Sequence, residues 1–179
     1  MEFTRKNMAV AGIVVLFVAA IAVVFFIFKK SGSPHTLASA SLPTLPDLIF
    51  ENIEAREVSV SSLRGRPVLL NIWASWCSLC AQKIADLVTL QKEFGDKIVI
   101  VEVNRGESLE VVKKYADQYD AGRVLLFVVD TNDSLYREIK GFSMPETIFI
   151  DKEGNIADHT RGLTGITDMR RRVEDSFGL

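Results

Sequence analysis

The chain has 179 residues, 48% of them apolar, with two cysteines and a formal net charge of −2. Setting aside Met1–Lys30, with its Arg5, Lys6, Lys29, Lys30 and Glu2, leaves seventeen Lys/Arg against twenty-two Asp/Glu, an excess of five negative charges. That balance offers no basic face to neutralise phosphates and argues against nucleic acid as a partner. Two cysteines are also too few for the disulfide framework of a small secreted scaffold.

In chain order, Met1–Asn7 is a short segment expected on the cytoplasmic side. Met8–Phe28 (MAVAGIVVLFVAAIAVVFFIF) follows without a charged residue. As a helix rising about 1.5 Å per residue, it spans roughly 30 Å, the thickness of a bilayer's hydrocarbon core. The expectation is an uncleaved membrane anchor. The alternative is a cleaved secretory signal, with Ala38-Ser39-Ala40 as its small-residue site. Arg5 and Lys6 before the span and Lys29 and Lys30 after it nearly balance under the positive-inside rule. Orientation is therefore read from the folded mass lying wholly after the span, and from cysteine chemistry that suits an oxidising compartment. Residues 29–46 form a linker, rich in Ser, Thr and Ala and stiffened by Pro34, Pro43 and Pro46. Residues 47–179 form the folded domain.

Within that domain, Asp47–Phe50 and Arg56–Val60 read as an N-terminal hairpin. Arg66–Trp73 is a continuous apolar run of the buried-strand kind. Ser78 to about Phe94 carries helical periodicity, with Ile84, Leu87, Val88 and Leu90 on one side and Gly95 as its stop. Lys97–Asn104 is a second buried strand and Ser108–Gln118 an amphipathic helix. Leu125–Asp130, Ser134–Lys140, Thr147–Asp151, Asn155–Thr160 and Ile166–Phe177 continue as strand, helix, strand, strand and helix. The pattern specifies an α/β domain, a central sheet with helices on both faces. In such sheets, functional sites collect at the carboxyl ends of strands.

The two cysteines stand there, in Trp76-Cys77-Ser78-Leu79-Cys80. Cys77 at a helix start lies where unpaired N–H groups and the helix dipole favour a thiolate. Cys80, one turn on, is placed to attack the sulfur of Cys77. The pair can open a substrate disulfide and release the mixed disulfide. Half of a zinc site is the rival reading; it lacks two ligands, since His35 lies in the linker and His159 far along the chain, and a helix start is poor context for it. An inert cysteine pair is the bland reading.

LLNIWASWCSLC resembles the active-site strand and helix of the thioredoxin superfamily. More narrowly, the chain resembles its tethered TlpA-like group, which includes reductases of cytochrome c maturation. The resemblance runs from about Leu45 to the C-terminus. It is carried also by Ser61-Ser62-Leu63-Arg64-Gly65, by Val103-Asn104-Arg105-Gly106-Glu107-Ser108, and by Met144-Pro145-Glu146-Thr147 ahead of Ile150-Asp151-Lys152-Glu153-Gly154. It implies a thioredoxin fold, a cis Met144–Pro145 bond facing the cysteines, and a Met144 backbone that pairs a substrate strand. A trans proline that merely starts a strand is the alternative. Trp76 is expected to flank the thiol and contact substrate, and Trp73 to lie in the core. It further implies protein disulfides of the apocytochrome c kind as substrates, a membrane thiol shuttle as reductant, and no bound cofactor or metal. A disulfide-forming oxidase and a non-catalytic module holding unfolded chains stay open as alternatives.

The chain departs from its relatives at both familiar carboxylate positions. Asn71 stands where thioredoxins place a buried aspartate, and Lys83 where many tethered relatives have a glutamate. Glu102, interrupting the apolar run Ile98–Val103, is the candidate replacement, expected to relay the Cys80 proton with Cys77 and Cys80 as the catalytic pair. The bland reading leaves it solvated at a strand end. Leu79 occupies a position where proline is common. Arg170-Arg171-Arg172 reads as a solvated helix face, His159 as a strand-surface residue.

Overall fold

The computed structural model describes residues 44–179; the expected anchor and nearly all of the linker lie outside them. No helix among the described residues is long and apolar enough to cross a membrane.

The strands are β1 (Ile49–Asn52), β2 (Glu57–Ser59), β3 (Val68–Trp73), β4 (Val99–Arg105), β5 (Leu126–Asp130), β6 (Glu146–Ile150) and β7 (Ile156–Arg161). The helices are α1 (Ser78–Phe94), α2 (Leu109–Gln118), α3 (Ser134–Glu138) and α4 (Ile166–Phe177). One seven-stranded sheet runs β2-β1-β5-β4-β3-β6-β7. The pairs β3/β4 and β4/β5 are parallel; all others are antiparallel. This is the thioredoxin fold that the resemblance implied, extended at the β5 edge by the N-terminal hairpin. The first hairpin strand is shifted toward Asn52 from its expected place. Asp47 is drawn out of it, accepting hydrogen bonds from Ser61 N and Ser61 Oγ, both at 2.8 Å.

Strand parity divides the core into two layers. Leu69, Trp73, Ile100, Phe127, Val129 and Phe149 face α1, α2 and α4, meeting Ile84, Leu87, Leu90, Val112, Met169 and Val173. Leu70, Ile72, Val101, Val103, Val128 and Ile148 face the other way, toward Leu135 of α3 and the incoming Leu45. Helices do cover both faces, but unequally: three against one, with α3 no longer than five residues. Alternation matters little in β3, where all six residues are buried, because both faces are covered.

α1 spans the expected residues. It ends at Gly95, whose φ of 57° suits a residue without Cβ and whose N–H donates to the Gln91 carbonyl. Ser108 caps α2 by accepting from Val111 N.

Candidate active site

β3 delivers Trp73 to the carboxyl edge of the sheet, and the turn Ala74–Trp76 leads directly into α1. Cys77 is the N-cap of that helix, with extended backbone angles and no side-chain capping bond. As N-cap it stands at the positive end of α1, beside the first-turn N–H groups that have no partner within the helix, the environment that favours a thiolate. Cys77 and Cys80 are joined in a disulfide, with Cα atoms 5.4 Å apart. Their exposures differ in the sense that exchange requires: Cys77 keeps 9% and Cys80 none. Of the two, Cys77 alone keeps any exposed surface.

Around this sulfur pair the sequence expectations resolve plainly. Trp76 is 68% exposed and Trp73 fully buried, packed on Tyr115 at 4.4 Å between ring centroids. The Met144–Pro145 bond is cis, and Met144 packs against the apolar cluster that includes both cysteines. Leu79 and Phe142 add exposed apolar surface on the CxxC segment and on the turn before Pro145.

Glu102 is not at a solvated strand end; it is wholly buried, as are Asn71 and Lys83. Register explains the grouping. Asn71 sits opposite Glu102 across β3/β4 and opposite Thr147 across β3/β6. The Asn71 amide donates to Glu102 Oε2 at 2.8 Å and accepts from Thr147 Oγ1 at 3.0 Å. Burial pushes the Glu102 carboxyl up to about 8, against the opposing pull of the Asn71 hydrogen bond and the Lys83 charge. Burial likewise brings Lys83 down to about 8, against the charges of Glu102, Asp86 and Asp168. Its Nζ donates to the Thr164 carbonyl at 3.3 Å.

Two further carboxylates near the site were not singled out from the sequence. Glu107 accepts from Ser75 N at 2.7 Å, Ser75 Oγ at 2.5 Å and Asn104 Nδ2 at 2.7 Å, tying the turn before Trp76 to the end of β4. Burial opposes its ionisation, yet those Ser75 and Asn104 bonds hold the carboxyl below its usual range. Glu146, fully buried behind Pro145, accepts from Phe142 N at 3.0 Å and from Ser143 N at 2.9 Å. Its other oxygen accepts from His159 Nε2 at 2.8 Å. The expectation of a strand-surface His159 is corrected accordingly: the ring is turned inward to a buried carboxylate. Burial again opposes ionisation, and the Ser143 and Phe142 amides with His159 overcome it, leaving Glu146 below the usual range. Both lie inside stretches that carried the resemblance, Glu107 in Val103–Ser108 and Glu146 in Met144–Thr147, but neither is assigned a role there.

The arginine run, read as a solvated helix face, is partly exposed and also ion-paired: Arg170 binds Glu93, Arg171 binds Asp168 and Asp175, and Arg172 binds Asp168 and Asp158.

Comparison with known proteins agrees with this geometry. A family model described as the AhpC/TSA family matches residues 43–159. The thioredoxin-like protein YneN of Bacillus subtilis is 30% identical over 132 residues, covering 72% of this chain and 76% of YneN. The thiol-disulfide oxidoreductase ResA of Geobacillus kaustophilus is 29% identical over 134 residues, covering 73% of this chain and 75% of ResA. Among solved structures, the exposed lipoprotein thioredoxin Etrx1 of Streptococcus pneumoniae matches with a TM-score of 0.65 and 26% identity, over 73% of this chain and 99% of that one.

Proposed function

Since the chain belongs to the AhpC/TSA family, we propose that it acts as a thiol–disulfide oxidoreductase of the ResA type, working through Cys77 and Cys80. The observation that carries this is the Cys77–Cys80 disulfide at the start of α1, with Cys77 9% exposed and Cys80 wholly buried.

The preferred direction is reduction of extracytoplasmic protein disulfides, with apocytochrome c type chains as substrates. In the reduced protein the Cys77 thiolate, favoured by the α1 N-terminus, attacks a substrate disulfide and expels one thiolate. Cys80 then gives up its proton and attacks Cys77, freeing the second substrate sulfur as a thiolate. Two electrons pass from the dithiol to the substrate, and a membrane thiol shuttle restores the pair. Trp76, Met144 and Pro145 form the binding surface for the substrate strand, and Glu102 takes up the Cys80 proton.

The apolar run Met8–Phe28 supports a single-pass anchor with the N-terminus inside. Residues 29–46 then hold the domain outside the cytoplasm, where disulfides persist.

The deciding experiment is an equilibrium titration of the Cys77–Cys80 couple against glutathione and dithiothreitol. A potential near that of thioredoxin, about −270 mV or lower, supports the reductase. A value near about −120 mV marks a disulfide-forming oxidant instead and overturns the direction. Cys77→Ala must abolish exchange; a variant that still turns over refutes the assignment of the nucleophile.

A further inference from the structure

Two fully buried ionisable side chains of opposite sign lie in the layer that holds Cys80, and they come from different elements. Lys83 is delivered by α1, one turn beyond Cys80, and Glu102 by the middle of β4. Residues three apart on a helix share a face, and Cys80 belongs to the same buried cluster as Leu69 and Trp73. Those two residues flank Asn71 on the same face of β3, so the sulfur and the row Glu102–Asn71–Thr147 occupy one layer. The Asn71 amide is committed at both ends, to Thr147 Oγ1 and to Glu102 Oε2. Glu102 Oε1 is buried and has no partner. Lys83 Nζ makes one bond, to the Thr164 carbonyl, out of the three an ammonium can donate.

Placing a lysine and a glutamate in a core where leucine would fit is costly, and such pairs contribute little to stability. A carboxylate oxygen left without a donor adds to that cost. The arrangement has a use if a proton and a negative charge must appear there transiently. Resolution of a mixed disulfide by a buried thiol makes that demand.

We propose that Lys83 is a positioning residue for Cys80: its ammonium favours the Cys80 thiolate while Glu102 Oε1 receives the proton. This rests on the exchange reading above. In the step, the Cys80 S–H proton moves to the ionised Glu102 carboxylate, the form that grows in as pH approaches about 8, and a bond forms between the Cys80 and Cys77 sulfurs. The bond between Cys77 and the substrate sulfur breaks, and the departing thiolate is protonated by solvent. Glu102 returns its proton to Cys80 when the disulfide is next reduced. The Lys83 ammonium gives up no proton in the step. The groups facing it are Glu102 from β4, Asp86 on its own helix, and Asp168 with the opposing Arg172 from α4. The Tyr115 phenol on α2 faces Glu102.

The test separates the two cysteines in one trace. Reduced full-length protein mixed with the aromatic disulfide 5,5′-dithiobis(2-nitrobenzoate) releases one chromophoric thiolate when Cys77 attacks and a second when Cys80 resolves. Lys83→Met keeps the volume and removes the charge. It should leave the first phase in place, move the pH midpoint of the second upward by about one unit, and slow it about tenfold at neutral pH, the lower end of what a neighbouring opposite charge does to a titrating group. Lys83→Arg, which retains the charge, should keep the wild-type midpoint. Thiolate absorbance of Cys80 in a Cys77→Ala background, with Lys83 present or replaced, reads the same quantity at equilibrium. An unchanged midpoint in Lys83→Met, or an unchanged Cys80 titration, overturns the proposal. Absence of the first phase in the wild-type protein would instead refute the exchange reading itself.

Discussion

Replacing Glu102 by glutamine should change the pH dependence of folding stability, and the structure sets the sign and scale. The Glu102 carboxyl is fully buried and raised from 4.5 to about 8. Above pH 4.5 the unfolded chain releases a proton that the folded protein retains. The folded value lies above the unfolded one, so the stability is fully present below about 4.5 and is lost as pH rises through about 8. One pKa unit corresponds to about 1.4 kcal/mol, so the whole displacement amounts to roughly 5 kcal/mol. Water penetration and relaxation around a buried charge reduce such figures, and the range from pH 5 to 8 covers most of the transition. A swing of about 2–4 kcal/mol is therefore expected. Glutamine is neutral throughout and can still present an oxygen to the Asn71 amide. Urea unfolding of the oxidised protein should show Glu102→Gln gaining on the wild type by that amount between pH 5 and pH 8. A difference that is the same at both pH values would mean that Glu102 ionises normally in the fold, and the relay role assigned to it would fall.

Glu146→Ala removes the acceptor for the Phe142 and Ser143 amides and for His159; unfolding should become easier by about 2–4 kcal/mol, read as a fall in the urea midpoint. Glu107→Ala frees the Ser75 turn and leaves the Asn104 amide without its partner, costing about 1–3 kcal/mol and slowing the first thiolate release from the aromatic disulfide. Trp76→Ala, at a ring 68% exposed, should move the melting temperature little while raising KM for a protein disulfide and sparing a small aromatic disulfide. Leu87→Ala, wholly inside the α1 layer, should cost about 2–5 kcal/mol without altering the potential of the cysteine pair.

The order of elements and the place of the cysteines were legible in the sequence because both rest on local pattern. The run Val68–Trp73 is apolar throughout, since its strand is covered on both faces, and the shift to helical spacing after Cys77 marks the start of α1 without any long-range information. Gly95 announces the end of that helix for a reason confined to one residue, its positive φ. Lys83 carried no such mark: a lysine in an amphipathic helix reads as solvent-facing, and only the packing of α1 over β3 and β4 puts it inside. Glu102 was conspicuous by interrupting an apolar strand, but its partner Asn71 is 31 residues away and is found only through strand register. Register likewise brings His159 to Glu146 across β6/β7, and the meeting of the loops after β3 and β4 joins Ser75 to Glu107 across 32 residues. Periodicity and capping therefore determined the elements and the sulfur chemistry at their junction. Tertiary structure decided which ionisable groups share a buried layer with that chemistry, because burial and charge pairing are properties of neighbours that the chain brings together only on folding.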